Sequence, residues 1–146
     1  VTGVRGEDLA RHSDSVCTAL QLTNFWQDLA VDWSAGRLYV PLEVVQFHRA
    51  SLGDLDLRMW SPQWRDALRD VGNRTRRLFD EGRPVADGVR GRLRWELRAT
   101  WLGGRRILDR LAEADYDVFR TRPTLSRADL PSLVAGAVRW RASRQS

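Results

Sequence analysis

The stretch that governs the reading of this chain is Gln21-Leu22-Thr23-Asn24-Phe25-Trp26-Gln27-Asp28-Leu29-Ala30-Val31-Asp32. Asn24, Asp28 and Asp32 recur at four-residue steps with apolar residues between them, and Ser34-Ala35-Gly36 supplies a stop soon after. At roughly 100° per residue, Asp14, Cys17, Gln21, Asn24, Asp28 and Asp32 share an arc of about 80° on one helix. Leu20 and Val31 border that arc on one side and Phe25 and Leu29 on the other, while Ala19, Leu22, Trp26, Ala30 and Trp33 fill the opposite face. A helix apolar nearly all round belongs in an interior. The pattern therefore predicts a helix from about Glu7 to about Trp33 with its carboxylates pointing inward.

Asp28 and Asp32 stand one turn apart and repel, the more so if desolvated. No arginine lies on the stripe between Asp14 and Asp32, so a hard divalent ion is the natural counter-charge. Mg²⁺ takes oxygen ligands, keeps waters, and is held by one or two carboxylates together with substrate phosphates, which the Asn24, Asp28, Asp32 ladder suits. Arg37, just beyond in Gly36-Arg37-Leu38-Tyr39-Val40, can hold phosphate oxygens bidentately, and Tyr39 adds a hydroxyl on an aromatic body. Metal, guanidinium and greasy walls together suggest ionisation of an allylic or cyclopropylcarbinyl diphosphate. Spacing alone favours a solvated helix face, and the apolar flanks bring the two readings level.

Outward from this segment the helical template continues. Pro41 suits the first turn of a short helix through about Phe47. Ser61-Pro62 reads as an N-cap and first-turn proline, followed by a stripe of Trp64, Leu68, Val71, Thr75 and Leu78 that Gly82 and Pro84 end. Leu93, Leu97, Trp101, Leu108 and Leu111 mark a long helix over about Val89 to Ala114, in which Gly103-Gly104 lets another helix approach closely. Ser126 with Asp129 forms a capping box for a last helix with Leu130, Val134, Ala137 and Val138 inward. The expectation is an all-α chain of five or so helices, with neighbours antiparallel.

Composition narrows the classes further. The 146 residues carry a net charge of +5, all 24 basic residues being Arg, which a GC-rich coding bias explains most simply. No run approaches the roughly 18 apolar residues of a spanning helix and no cleavable leader is visible, so a soluble or peripheral, cytoplasmic protein is expected. Cys17 is the only cysteine; it excludes an internal disulfide and reads as a small buried hydrophobe. His12 and His48 lack paired ligand spacing. Arg65, Arg69, Arg74, Arg76 and Arg77 read as a solvated face, with attraction to anionic lipid as a second reading. The seven tryptophans read mostly as core, Trp26 and Trp33 against other helices.

The run from Gln21 to Asp32, joined to Gly36-Arg37-Leu38-Tyr39-Val40-Pro41, resembles the second aspartate-rich motif of the squalene/phytoene synthase family. The likeness continues through Arg92-Leu93-Arg94-Trp95-Glu96-Leu97-Arg98-Ala99-Thr100, Gly103-Gly104, Tyr116-Asp117-Val118-Phe119 and Arg122-Pro123. Within the family, Phe25-Trp26-Gln27 is similar to the bacterial hydroxysqualene synthase branch, which converts presqualene diphosphate to hydroxysqualene; other branches more often carry Ile-Leu-Arg there.

The resemblance implies the all-α isoprenoid (terpene) synthase-type fold. It implies Asn24, Asp28 and Asp32 as ligands of Mg²⁺, Gln21, Asn24 and Arg37 on the diphosphate, and Asp28, Asp32 and Tyr39 in the chemistry. The implied substrate is a prenyl diphosphate, presqualene or farnesyl, with squalene or phytoene synthesis and a non-catalytic scaffold of the same fold as alternatives. An Arg-rich nucleic-acid module is a third class, and no nucleic-acid partner is expected. Family members carry a first aspartate-rich motif on an earlier helix, and no Asp-x-x-x-Asp precedes the first helix here. Residues 1–146 are accordingly expected to be the C-terminal portion of one such domain, inactive alone.

Overall fold

The computed structural model describes residues 2–142, with side chains from Arg5 onward. Among the described residues there is no strand, and seven α-helices follow in order: α1 (Thr2–Gln27), α2 (Leu29–Ser34), α3 (Leu42–Phe47), α4 (Leu52–Asp56), α5 (Pro62–Gly82), α6 (Arg92–Glu113) and α7 (Leu130–Val138). No described helix is long and apolar enough to cross a membrane.

Three long helices form the body. Trp26 of α1 meets Thr75 of α5, while His12, fourteen residues earlier, meets Glu81, so α1 and α5 run antiparallel. Helix α6 returns along α5, with Arg76 on Asp109 and Asp80 on Arg105. The core between them is Ala19, Trp26, Trp64, Leu68, Val71, Phe79, Leu108 and Leu111, all buried. Ser61 caps α5 by accepting from the Trp64 amide, with Pro62 in the first turn, as its sequence predicts. Gly104 permits the close approach expected of it. A Cβ there would stand 2.7 Å from both Leu20 of α1 and Phe79 of α5.

Indole N–H groups tie elements that periodicity cannot connect. Trp26 donates to Thr75 Oγ1 (2.9 Å), Trp101 to the Phe79 carbonyl (2.7 Å), Trp64 to the Ser51 carbonyl (2.7 Å) and Trp60 to the Asp115 carbonyl (2.9 Å). A buried indole without an acceptor is costly, so each bond fixes one helix or loop against another.

The structure corrects several expectations. The predicted first helix is two: α1 stops at Gln27, Asp28 adopts φ −99°, ψ 8°, and α2 resumes at Leu29. The stripe is not turned inward along its length, because Asp14, Cys17, Gln21 and Asn24 are exposed. Helix α1 buries Val16, Ala19, Thr23 and Trp26, the side opposite this stripe. Cys17 is therefore a surface thiol and not a buried hydrophobe. The α6 stripe is buried only towards its C-terminal end, with Leu93 51% exposed, and α7 buries Ala137 while Leu130, Val134 and Val138 face solvent. A short helix at Leu52–Asp56, capped by Ser51, was not marked by any periodicity.

Candidate functional site

The ladder survives the helix break. The Asp28 amide donates to the Asn24 carbonyl at 2.9 Å and the Asp32 amide to the Asp28 carbonyl at 2.8 Å. Helical i to i−4 bonding thus runs through the irregular residue, and Asn24, Asp28 and Asp32 occupy three successive turns on one face. Their environments grade along the chain: Asn24 is exposed, the Asp28 side chain is 32% accessible and that of Asp32 13%.

The sequence suggested a metal as the natural counter-charge, and the structure adds protein cations to it. Each carboxylate has a guanidinium of its own. Arg37 Nη2 lies 3.1 Å from Asp32 Oδ1, and Arg122 Nε lies 2.7 Å from Asp28 Oδ1. Arg37 reaches back because Gly36, at φ +79°, reverses the chain after α2 and the Arg37 amide bonds the Asp32 carbonyl. Arg122 arrives from 94 positions away, so helical spacing could not have found it. Its only sequence signal is the Arg122-Pro123 pair in the downstream likeness.

The loop carrying Arg122 is fastened on both sides. Gln27, buried at the end of α1, donates to the Pro123 carbonyl, and Arg110 of α6 donates to the Thr124 carbonyl and pairs with Asp129. Asp129 also accepts from the Ser126 amide at 2.7 Å, completing the predicted capping box. The Ser126 amide, with help from Arg110, holds the Asp129 carboxyl below its ordinary pKa. At the start of the loop Tyr116 is buried against Gly72, and burial raises its phenol pKa despite Arg76 and Arg69 nearby.

Tyr39 lies parallel to Phe25, ring centroids 4.1 Å apart and planes 6° from parallel, which sets an aromatic wall beside the ladder. Tyr39 remains 42% exposed and Gln21 is exposed one turn before Asn24. The structure thus gathers Asp28, Asp32, Arg37 and Arg122, places Asn24 and Gln21 further along the same face, and sets Tyr39 against Phe25. The histidines hold other positions: His12 donates to the Glu81 carbonyl, and His48 bonds Asp70. Burial would raise the Asp70 pKa, but the hydrogen bond to His48 and the neighbouring Arg74 bring it below its ordinary value.

As a donor set, Asn24, Asp28 and Asp32 offer only oxygens, the preference of a hard divalent ion. Among the described residues no group of three or more His, Cys, Asp or Glu side chains clusters as a complete ligand set. Two carboxylates and an amide fit an ion that draws its remaining ligands from water and phosphate.

Comparison with known proteins identifies the family. Phytoene synthase 2 of Solanum lycopersicum is 32% identical over 111 residues, covering 75% of this chain and 35% of that protein. Hydroxysqualene synthase of Rhodopseudomonas palustris is 34% identical over 79 residues, covering 53% and 27% respectively. The crystal structure of squalene synthase HpnC from Alicyclobacillus acidocaldarius superposes with a TM-score of 0.71 at 37% identity, over 74% of this chain and 41% of that one. The chain spans about a third of the length of the curated relatives it matches. A sequence model described as squalene/phytoene synthase matches residues 1–129, from the start of α1 to the residue before α7. With the all-helical architecture shared with squalene synthase, this establishes that the chain belongs to the squalene/phytoene synthase family.

Proposed function

We propose that this chain forms the second diphosphate-binding wall of a Mg²⁺-dependent enzyme that processes prenyl diphosphates, as the C-terminal portion of a single all-α synthase domain. The observation that carries the reading is the unbroken ladder of Asn24, Asp28 and Asp32 with Arg37 folded over its buried end. Two carboxylates that recruit a guanidinium each are a pair that demands positive charge. Asn24, Asp28 and Asp32 would hold magnesium, whose positive charge favours departure of diphosphate. Arg37, whose side chain is 56% accessible, can turn from Asp32 to phosphate oxygens and bind them bidentately. Gln21, exposed on the same face, offers an amide to the diphosphate. Tyr39, stacked on Phe25, presents its ring and hydroxyl beside the reacting end.

Presqualene diphosphate is the proposed substrate and hydroxysqualene the product, with water as the final nucleophile. The Phe25-Trp26-Gln27 run and the similarity to a hydroxysqualene synthase support this branch. Phytoene or squalene synthesis from two prenyl diphosphates is the competing reading, favoured by the longer matched stretch with plant phytoene synthases. A scaffold relative has no use for an intact ladder. The setting is the cytoplasm with access to the membrane, where a hydrocarbon product partitions.

The test is diphosphate release from presqualene diphosphate by a full-length synthase that contains residues 1–146 as its C-terminal portion, compared with its Asp28→Asn variant, with products identified by mass spectrometry. A positioned metal-binding carboxylate predicts a loss of at least a hundred-fold, on the scale of removing one preorganised electrostatic group. Undiminished turnover in Asp28→Asn sinks the assignment. Phytoene or squalene as the main product moves it to the competing branch.

A further inference from the structure

The loop that carries Arg122 meets the end of α1 residue by residue. Gln27 and Asp28 are consecutive there, and Arg122 and Pro123 are consecutive in the loop after α6. Asp28 takes the Arg122 guanidinium, and Gln27 gives its side-chain amide to the Pro123 carbonyl. Gln27 is 5% exposed, so its amide has little water to turn to, and the bond to Pro123 fixes the loop. Proline also disfavours the helical region for the residue before it, which sets the Arg122 backbone extended. One residue further on, Arg110 of α6 holds the Thr124 carbonyl. The backbone on which Arg122 stands is thus pinned from α1 and from α6.

The bridge itself is built differently from its anchors. Arg122 reaches Asp28 through Nε alone, at 2.7 Å, and the two side chains are 49% and 32% accessible. Arg37 grips the largely buried Asp32 through both Nε and Nη2, at 3.4 and 3.1 Å. Arg110 combines the Thr124 carbonyl with the buried Asp129. Exposed pairs joined by one bond are the weak ones. A firmly held backbone therefore presents a loosely held guanidinium.

Charge gives that looseness a use. Asp28 and Asp32 carry two negative charges and Arg37 and Arg122 return two positive ones, so the paired ladder is neutral. A divalent cation is drawn to this face only when a guanidinium stands aside. We propose that Gln27 is a positioning residue that holds Arg122 over Asp28, and that Arg122 and a divalent cation occupy Asp28 in alternation. Gln27 keeps the loop in place, so the guanidinium leaves and returns without the loop moving. Without metal, Arg122 spares the ladder a bare carboxylate one turn from another. The inference rests on the reading of Asn24, Asp28 and Asp32 as metal ligands.

Manganese binding to a full-length synthase that contains residues 1–146, read by water-proton relaxation in the absence of substrate, tests it. Asp28→Asn should weaken binding at least about ten-fold, the lower end of what even an indirect partner of a metal ligand contributes. Arg122→Gln should strengthen it about two- to five-fold, the worth of an exposed ion pair. Gln27→Met keeps the length of the side chain, deletes the donor, and should strengthen binding by a smaller factor. The double variant Gln27→Met with Arg122→Gln should bind no tighter than Arg122→Gln alone, because Gln27 acts through Arg122. A merely structural Gln27 would instead weaken binding in both backgrounds. Arg122, half accessible, can be replaced without disturbing the core, so its arm holds whatever Gln27→Met does to folding. An Arg122→Gln affinity no higher than that of the wild type overturns the exchange. An unchanged Gln27→Met affinity, or an effect that persists without Arg122, overturns the positioning role. In either case weaker binding by Asp28→Asn leaves the ligand reading standing, whereas equal affinity in wild type and Asp28→Asn overturns both.

Discussion

Thr75→Val isolates the contact that sets the ladder-bearing helix on the body of the protein. Thr75 is fully buried and Trp26 is 2% exposed, and the indole N–H of Trp26 donates to Thr75 Oγ1 at 2.9 Å. Valine keeps the branched shape and removes the hydroxyl, which also donates to the Val71 carbonyl at 2.8 Å; the chief effect is the buried indole N–H left with nothing to bond. Such a group costs about 1–3 kcal/mol, partly offset by the better burial of an added methyl, giving a net loss of about 1–2 kcal/mol. With a urea dependence of about 1–3 kcal/mol per molar, that moves the unfolding midpoint down by roughly 1 M.

Controls separate the hydrogen bond from packing. Thr75→Ser keeps the hydroxyl and deletes a methyl, and should preserve the coupling to Trp26. Trp26→Phe removes the donor, so the double variant Thr75→Val with Trp26→Phe should lose less than the sum of the singles by about 0.5–3 kcal/mol. Urea titration followed by circular dichroism at constant pH gives all four corners of the cycle without relying on Trp26 emission. A Thr75→Val protein as stable as wild type, or a strictly additive cycle, would falsify the claim that this bond fixes α1 against α5.

Other outcomes follow from the same geometry. Gly104→Val places a Cβ within 2.7–2.9 Å of Leu20 and Phe79, and overpacking of this kind should cost about 1–3 kcal/mol in urea unfolding; an unchanged midpoint would show that α6 can shift away. The Asp129 carboxyl is held below its ordinary pKa by the Ser126 amide and Arg110, so its contribution is present above the ordinary carboxylate range and is lost as pH falls through the folded value. Asp129→Asn should therefore flatten the loss of stability as pH falls below the ordinary carboxylate range, which acid titrations of the two proteins compare directly. Manganese binding read by paramagnetic relaxation should weaken in Asp32→Asn, and equal affinity in both proteins would remove Asp32 from the ligand set.

The fold class was legible because helices announce themselves locally. Ser61-Pro62 and the Trp64, Leu68, Val71, Thr75 series determine where α5 begins and which side it buries, since capping and a 3.6-residue period involve only near neighbours. Gly103-Gly104 likewise signalled a close crossing, and Gly104 supplies it. The ladder's register was legible for the same reason, and even the break at Asp28 leaves its helical bonds in place.

What an arc of residues faces is a different matter. The stripe looked interior because the helix is apolar on most sides, yet Asn24 and Gln21 stand in solvent and only Asp32 is largely buried. The direction of burial depends on which helices arrive, and α5 and α6 arrive from the Trp26 side. Leu130, Val134 and Val138 misled in the same way: their period is correct for a packed helix, but the small residues Gly136 and Ala137 took the contact with α6.

The sequence alone determined that this chain is helical, where its chief helices lie, and that Asn24, Asp28, Asp32 and Arg37 share one end of it. Only the tertiary structure decided that Arg122 neutralises Asp28 across 94 residues and that α7 leaves an apolar edge in solvent. The physical reason is range: backbone bonds and caps are written within a turn or two, whereas a salt bridge or a buried face requires two segments to meet, and no periodicity records which segments those are.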